Sequence, residues 1–206
     1  MAYILGFFAA DGYITVNRRG GQFWCLDIGD KKLIRQIKKT IGSDHKISVR
    51  KSKDRANPTY RLQIGGIEMC DDLRRLGFKE RKTKSLAVPN VPEKYFCDFV
   101  RGYFDGDGNV WVGAMNKERK TPHFTIQIVF TSCSKIFLEL LRKNLEYNGV
   151  DNGRLNKVRG NCYRLVYSVF GSLNLYKFMY NSQCVRNKLF LNRKKIIFEK
   201  FIKMRS

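Results

Sequence analysis

Apolar and polar positions along the chain follow the same order of patterns twice. Each half opens on an apolar segment that ends in Asp-Gly, residues 4–12 and 100–108. Two stretches with the two-residue alternation of β-strands follow, and then a stretch whose apolar residues recur at helical spacing. A second pair of alternating stretches and a short helical stretch complete each half. The chain is therefore predicted to contain two copies of one αββαββα unit, an α+β fold.

Cap and turn residues indicate where these elements begin and where the halves meet. The amphipathic helices are predicted to begin after Asp30 and Ser132, whose side chains suit N-caps. Pro89 and Pro92 predict an extended connector. The predicted organisation is a first repeat at 1–88, a linker at 89–94 and a second repeat at 95–206.

The two opening segments align residue by residue, ILGFFAADG at 4–12 with VRGYFDGDG at 100–108. Small residues four places apart, such as Gly6 with Ala10, leave one helix face without bulky side chains. We expect the two helices to pack closely along these faces, about a pseudo-twofold axis. The two halves would then form a saddle whose antiparallel sheets line a concave surface.

This packing would place Asp11 and Asp107 side by side at the C-terminal ends of the two helices. A carboxylate is unfavourable there because the helix C-terminus carries partial negative charge, and a second carboxylate nearby makes it worse. A divalent cation such as Mg²⁺ removes both penalties, with the carbonyl oxygens of Ala10 and Gly106 as further ligands. The alternative is that Asp-Gly only makes a turn, but its recurrence after the same helix favours the metal site.

The net charge of the chain indicates a binding partner. The chain carries 40 Lys+Arg against 18 Asp+Glu, a net charge of +22, divided as +10 before residue 97 and +12 after it. A basic tail would have concentrated the excess at one end, so two basic units are predicted, with nucleic acid as the first candidate partner. A membrane is the second candidate, but no apolar run approaches the ~20 residues of a span. The six scattered cysteines predict reduced thiols in a protein that is not secreted.

The predicted strands supply side chains that suit DNA. Strand alternation puts Lys46, Ser48 and Arg50 on one face and apolar residues on the other. Arg, Gln, Asn, Ser and Thr hydrogen-bond base edges in the major groove, which admits a β-ribbon. The alternative is an ordinary solvated sheet face; the high charge and the two such faces favour DNA. The predicted DNA-binding residues are Thr15, Asn17, Lys46, Ser48, Arg50, Arg61, Gln63, Thr125, Gln127, Arg154, Asn156 and Arg164.

With its two Asp-Gly motifs and matching hairpins and helices, the chain resembles the LAGLIDADG homing endonucleases of the single-chain class over essentially its whole length. The resemblance implies that Asp11 and Asp107 are the catalytic, metal-binding acids, with Mg²⁺ bound and Mn²⁺ or Ca²⁺ able to replace it. It also implies a basic residue near each scissile phosphate, Lys82 and Lys188 here, with Arg186 beside the latter. A polar residue before the second helix often orders water in this family. Counting back from that helix gives Asp27 in the first half and Val129 in the second.

The implied activity is metal-dependent hydrolysis of one phosphodiester per strand at a long asymmetric duplex site, leaving short 3′ overhangs. A monomer would suffice, acting in the cytoplasm or with the DNA of an organelle or nucleoid, as in intron homing. The alternative is a non-cleaving protein of the same fold, an RNA maturase or a DNA-binding module. Retention of both acids favours cleavage. A calcium EF-hand is excluded because loop position six is Val110 and not Gly, and an HNH nuclease because the chain has two histidines, far apart.

Overall fold

The computed structural model describes residues 1–51, 57–80, 85–115, 118, 120, 123–158, 160–180 and 189–205. The chain divides into two compact units, Met1–Gly106 and Asp107–Ser206. Residues 89–92 of the predicted linker have no regular structure, and the second motif helix begins at Glu93. This helix belongs to the first unit except for its last residue.

The first unit is built around one antiparallel sheet of four strands in the order β1-β2-β4-β3. Its elements are α1 (Ala2–Asp11), β1 (Gly12–Val16), β2 (Gln22–Ile28), α2 (Lys31–Ile41), β3 (Ile47–Arg50), β4 (Thr59–Gly65), α3 (Ile67–Arg75) and α4 (Glu93–Asp107). The predicted N-cap of α2 is confirmed, since the Asp30 carboxylate accepts a hydrogen bond of 2.8 Å from the Leu33 amide. Gly42, with φ of 71°, ends this helix in the left-handed conformation that glycine adopts easily.

Helices α1 and α4 pack with their backbones in close contact. A Cβ atom at Gly6 would collide with the carbonyl oxygen of Phe99, and one at Gly102 would collide with that of Tyr3. Both helices are buried around these contacts, and the Tyr3 hydroxyl donates a hydrogen bond of 2.7 Å to the buried Asp105. The predicted packing of small-residue faces is therefore confirmed, and substitution of either glycine would force the helices apart.

The second unit repeats the same sheet, with strand order β5-β6-β8-β7. Its elements are β5 (Gly108–Met115), β6 (His123–Ser132), α5 (Lys135–Tyr147), β7 (Arg154–Lys157), β8 (Tyr163–Tyr167), α6 (Val169–Tyr180) and α7 (Asn192–Lys203). The predicted α+β fold of two repeats is confirmed. Helix α7 was not predicted from the sequence.

Two details of the second unit differ from the prediction. Ser134, not Ser132, is the N-cap of α5, because its hydroxyl accepts a hydrogen bond of 3.3 Å from the Phe137 amide. Ser132 instead ends β6, and its hydroxyl accepts from the Ser134 amide at 3.1 Å. Counting back from the true cap makes Thr131, not Val129, the counterpart of Asp27.

The cysteines are not all reduced. Cys25 and Cys70 are buried thiols, as expected, but Cys97 in α4 is disulfide-bonded. Cys133 and Cys162 are partly exposed thiols in the second unit. The expectation of reduced cysteines throughout the chain is therefore wrong for Cys97.

Candidate active site and nucleic-acid interface

Asp11 is the last residue of α1, and its side chain is exposed. The chain passes from helix to strand within one residue, because Gly12 is already extended at φ of −83° and starts β1. A Cβ atom at Gly12 would collide with the ring of Phe8, so only glycine fits this turn. The Asp11 carboxylate lies beside Gly106 of α4, 3.2 Å from where a Cβ of that glycine would stand. A glycine at 106 therefore leaves room around the carboxylate.

Asp107 ends α4 in the same way, with an exposed side chain followed by Gly108 at the start of β5. The carbonyl oxygen of Gly108 accepts a hydrogen bond of 2.6 Å from the ammonium group of Lys194 in α7. Lys194 is only 5% exposed, and a fully buried lysine is rare in proteins unless it is paired. The buried Lys194 side chain therefore holds the peptide group one residue after Asp107.

The sequence indicates that Lys194 is buried, because this lysine lies in the apolar stripe of an amphipathic helix. In α7 it occupies the stripe of Leu191, Phe198 and Phe201, which are all buried. A lysine at an apolar position of an amphipathic helix predicts a buried ammonium group with a specific acceptor.

The donor set around the two acids suits a hard divalent cation. Both motif helices end in an exposed carboxylate that follows directly on the backbone carbonyl groups of the last helical turn. Oxygen ligands of this kind are those that Mg²⁺ and Ca²⁺ prefer. Within the described ranges, no group of three or more His, Cys, Asp and Glu side chains is close enough to hold an ion by itself. Backbone oxygens such as those of Ala10 and Gly106 would have to complete the coordination.

Asp27 forms an ion pair with Arg61 on the sheet surface of the first unit. Its two carboxylate oxygens accept hydrogen bonds of 2.6 Å each from Nε and Nη2 of Arg61, directly across the β2–β4 pair. The Tyr13 hydroxyl donates a third bond of 3.2 Å. The Arg61 side chain is only 14% exposed and that of Asp27 29%. Such bidentate pairing is the strongest geometry available to an arginine and a carboxylate.

This cluster shifts the pKa values of its members. Burial alone would raise the pKa of Asp27, but the hydrogen bonds and charge of Arg61 outweigh burial and hold this pKa below its ordinary value. Burial and the nearby Asp27 charge raise the pKa of Tyr13 to about 12. The cluster is therefore one anion and one cation at neutral pH. The role of Asp27 in ordering water stays a prediction, and its oxygens already have protein donors.

Most predicted DNA-binding residues lie on the sheet surfaces. Thr15, Gln63 and Gln127 are partly exposed, and the members exposed on their strands are Ser48, Arg50, Arg154, Asn156 and Arg164. Lys46 is also exposed, but it precedes the first residue of β3, so its predicted place on that strand is wrong. Arg61 differs from these because its guanidinium is paired with Asp27.

Two predicted DNA-binding residues have structural surroundings that the sequence did not indicate. Thr125 was expected on the open face but is only 7% exposed. It pairs with Gly113, over which the Trp111 ring lies, so this part of the face is covered. The Asn17 side-chain oxygen accepts from the amides of Arg19 and Gly21 and so stabilises the β1–β2 turn.

The predicted basic residues near the phosphates, Lys82 and Lys188, lie outside the described residues, as do Lys84 and Arg186. The structure places each helix-end acid directly before a glycine and brings together the three residues of the Asp27 cluster. The roles of the four basic residues stay predictions.

Comparison with known proteins agrees with this architecture. Residues 1–79 match the model of the LAGLIDADG-like domain family. The chain has the LAGLIDADG fold. The meganuclease I-SmaMI, bound to uncleavable DNA, superposes with a TM-score of 0.63 at 15% identity, over 98% of this chain and 87% of that one. I-WcaI, bound to its DNA recognition sequence, gives a TM-score of 0.61 at 18% identity, over 95% and 83% of the two chains.

Mesophilic variants of the homing endonuclease I-DmoI superpose with a TM-score of 0.59 at 16% identity, over 88% of this chain and 94% of that one. Among curated sequences, the replication factor C small subunit of Thermococcus kodakarensis is 26% identical over 180 residues. That match includes 87% of this chain, which spans 19% of the length of that protein. The LAGLIDADG resemblance predicted from the sequence is confirmed. No helix among the described residues is long and apolar enough to cross a membrane.

Proposed function

We propose that this chain is a site-specific endonuclease that hydrolyses one phosphodiester in each strand of a long asymmetric DNA duplex and leaves short 3′ overhangs. The observation that carries the proposal is an exposed aspartate as the last residue of both motif helices, Asp11 and Asp107, each followed by glycine and a strand. Both motifs lie in one chain, so the proposed active form is a monomer.

Each of the two sheets supplies a proposed DNA-binding surface. Exposed basic side chains on β3, β7 and β8 (Arg50, Arg154 and Arg164) would contact phosphates or guanine edges, and Ser48 and Asn156 lie on the same strands. The net charge of +22 would draw the duplex to these surfaces. I-WcaI, which shares the fold, has been determined with its DNA recognition sequence, and this supports duplex DNA as the partner.

Asp11 and Asp107 would bind the divalent cations, with the carbonyl oxygens of Ala10 and Gly106 as further ligands. When bound, Mg²⁺ would activate water for attack on the phosphorus and neutralise charge that develops on the phosphate and the leaving 3′ oxygen. I-SmaMI has been determined with uncleaved DNA in the presence of calcium ions, which supports hard cations as ligands of this fold.

The protein's own groups would position the reaction. No residue separates α1 from β1 or α4 from β5, so each acid would be held at a fixed place relative to the strand that follows it. Lys194 holds the carbonyl group that follows Asp107. Lys82 and Lys188 would donate hydrogen bonds to the scissile phosphates and stabilise their added charge.

The proposal can be tested on a randomised duplex library. The protein is incubated with the library and Mg²⁺, and the ends that are produced are sequenced. A recurrent site with short 3′ overhangs is expected, and the Asp11→Asn, Asp107→Asn double variant should produce none. Asp44→Asn, an exposed acid in the α2–β3 loop, is the matched control and should cleave like the parent.

The rival function is nucleic-acid binding without cleavage, as in a maturase or a DNA-binding module. It predicts retention of a duplex or RNA on the protein with no cut ends in Mg²⁺ or Mn²⁺. That result, obtained with protein that binds DNA, would replace the nuclease proposal.

A further inference from the structure

Two cysteines of the second unit lie directly beyond the paired ends of β6 and β8, with their sulfur atoms in contact. The sulfur atoms of Cys133 and Cys162 are 2.8 Å apart. Both residues are thiols and both are partly exposed, unlike Cys25 and Cys70, which are wholly buried. The pair is 29 residues apart in the sequence, so the fold, not chain proximity, brings the sulfurs together.

The strand register accounts for this approach. Ser132 of β6 pairs with Tyr163 of β8, so the next residue outward on each strand is a cysteine. Opposed residues in an antiparallel pair have Cα atoms roughly 4.5–5.5 Å apart, inside the roughly 4.4–6.8 Å that a disulfide spans. A bonded S–S distance of about 2.05 Å requires the sulfurs to move together by about 0.8 Å. A movement of this size is within the reach of the two side chains.

The pair lies where the β7–β8 hairpin meets the start of α5. Cys162 closes the hairpin loop, since its carbonyl accepts from the Val158 amide at 2.9 Å. Cys133 directly precedes Ser134, the N-cap of α5. We propose that Cys133 and Cys162 are a site of reversible oxidation, whose disulfide ties the β7–β8 hairpin to the start of α5.

The reaction needs a small-molecule disulfide, such as oxidised glutathione, as the oxidant. The thiolate of one cysteine attacks a sulfur of that disulfide, forming a mixed disulfide and releasing one small thiolate. The second cysteine thiolate then attacks the protein sulfur of the mixed disulfide and releases the other small thiolate. Two protein thiols are oxidised to one disulfide, the small disulfide is reduced to two thiols, and the two protons pass to these thiols.

The first unit has no counterpart of this site. Counting from the helix caps and the strand register, Gly29 and Thr59 occupy the positions of Cys133 and Cys162. A Cβ atom at Gly29 would meet no neighbour within 4 Å, so space does not dictate a glycine there. The cross-link is therefore specific to the hairpin that carries Arg154, Asn156 and Arg164.

The experiment compares full-length parent, Cys133→Ser, Cys162→Ser and the double variant after treatment with oxidised glutathione. Remaining thiols are alkylated under native conditions, and peptides are mapped by mass spectrometry without reductant. A peptide joining Cys133 to Cys162 is expected in the parent alone. The matched variants are needed because Cys97 is also disulfide-bonded, so reductant alone would not isolate this pair.

The cross-link should also show in stability and exchange. Closing a loop of this length predicts a parent melting temperature at least about 5 °C above that of the double variant, both oxidised. The two single variants should match the double variant, since removal of either sulfur abolishes the bond. Amide exchange of residues 154–167 should slow on oxidation of the parent. Alkylation of both cysteines after oxidant treatment, or equal melting temperatures of oxidised parent and double variant, would overturn the proposal.

A last readout rests on the proposed function. A hairpin held in its binding conformation loses less entropy on association, so oxidised parent should bind the target duplex about threefold more tightly or better than the oxidised double variant. Equal affinities would show that the disulfide does not serve DNA binding. If neither protein bound DNA, the proposed function would fail, whereas the peptide mapping would still decide whether the disulfide forms.

Discussion

The two units place different side chains at the same point of the sheet. In the first unit Asp27 faces Arg61 across the β2–β4 pair; in the second, Thr131 faces Arg164 across β6 and β8. The third member of the first cluster, Tyr13, follows Gly12, and Asn109 follows Gly108 at the matching place. A charged cluster in one copy is therefore replaced by neutral polar residues and one arginine in the other.

We infer from this difference that Arg61 and Arg164, which occupy matching positions, have different roles. Arg61 is partly buried and committed to Asp27, so its charge is neutralised within the sheet. Arg164 is exposed, and the threonine opposite carries no charge. An asymmetric DNA site is read most simply by a protein whose halves differ in this way.

The greatest loss of cleavage is expected from substitution of the two helix-end acids, at which the two halves are alike. Asp11→Asn and Asp107→Asn each remove one metal-binding charge while keeping side-chain size. We expect cleavage to fall by several orders of magnitude in each, with DNA binding in the absence of metal at least as tight as in the parent, because negative charge is lost near the phosphates. Agarose gels of supercoiled target plasmid measure the loss.

The same plasmid assay distinguishes acids that act together from acids that each serve one DNA strand. If the acids work as one unit, as predicted from the sequence, each single variant leaves the plasmid supercoiled. Nicked circles would mean that each acid serves its own strand. Complete linearisation by both variants would contradict any catalytic role for the acids, and the proposed nuclease activity with it.

A smaller loss of cleavage rate is expected on substitution of Lys194, which has no counterpart among the described residues of the first unit. Lys194→Met removes the donor to the Gly108 carbonyl next to Asp107. We expect the single-turnover cleavage rate to fall about tenfold, as expected for a shift of a catalytic group, with unchanged DNA affinity. Lys200→Met, an exposed lysine of the same helix, is the control. A parallel loss of DNA affinity, or a large drop in melting temperature, would instead indicate a structural role.

The arginine pair gives the direct test of the asymmetry. Arg164→Gln should weaken DNA binding by about tenfold, since one base or phosphate contact is worth roughly 1–3 kcal/mol. Its melting temperature should not change. Arg61→Gln should do the reverse, lowering the melting temperature because Asp27 loses its partner, with a smaller effect on affinity. If Arg164 contacts a phosphate, the slope of log affinity against log salt should become shallower by about 0.9. Equal losses of DNA affinity in both variants would contradict the inference that Arg164 contacts DNA and Arg61 stabilises the fold.

Much of the fold could be predicted because its signals are local. The alternating strands, the Asp30 cap and the glycine faces of the motif helices all act within a few residues or repeat in both halves. Helix α7 was missed because it lacks a counterpart in the order derived from the first half. The α5 cap was misplaced by two residues because three hydroxyl or thiol residues follow one another at 132–134, and only the hydrogen bonds decide among them.

The site was less predictable, because its contacts depend on strand register. The sequence assigned Arg61 to DNA and Asp27 to water without indicating that they lie opposite each other. Thr125 was placed on the open face by alternation, which says nothing about a tryptophan that covers part of that face. The contact of Lys194 with Gly108 joins residues 86 apart and has no motif.

The smallest effect concerns the pH dependence of stability that Asp27 confers. Its pKa is lower in the folded protein than in the unfolded chain, so the ion pair stabilises the fold above about pH 4, the ordinary aspartate value. This contribution is lost as the pH falls from there through the depressed folded value. Asp27→Asn should therefore be less stable than the parent by about 1–2 kcal/mol at neutral pH, and the difference should shrink below pH 4 as the parent itself becomes protonated. Urea unfolding of both proteins between neutral pH and about pH 3 measures it, with Asp44→Asn as the exposed control. A difference that stayed constant down to the lowest pH would mean that charge pairing with Arg61 is not its source.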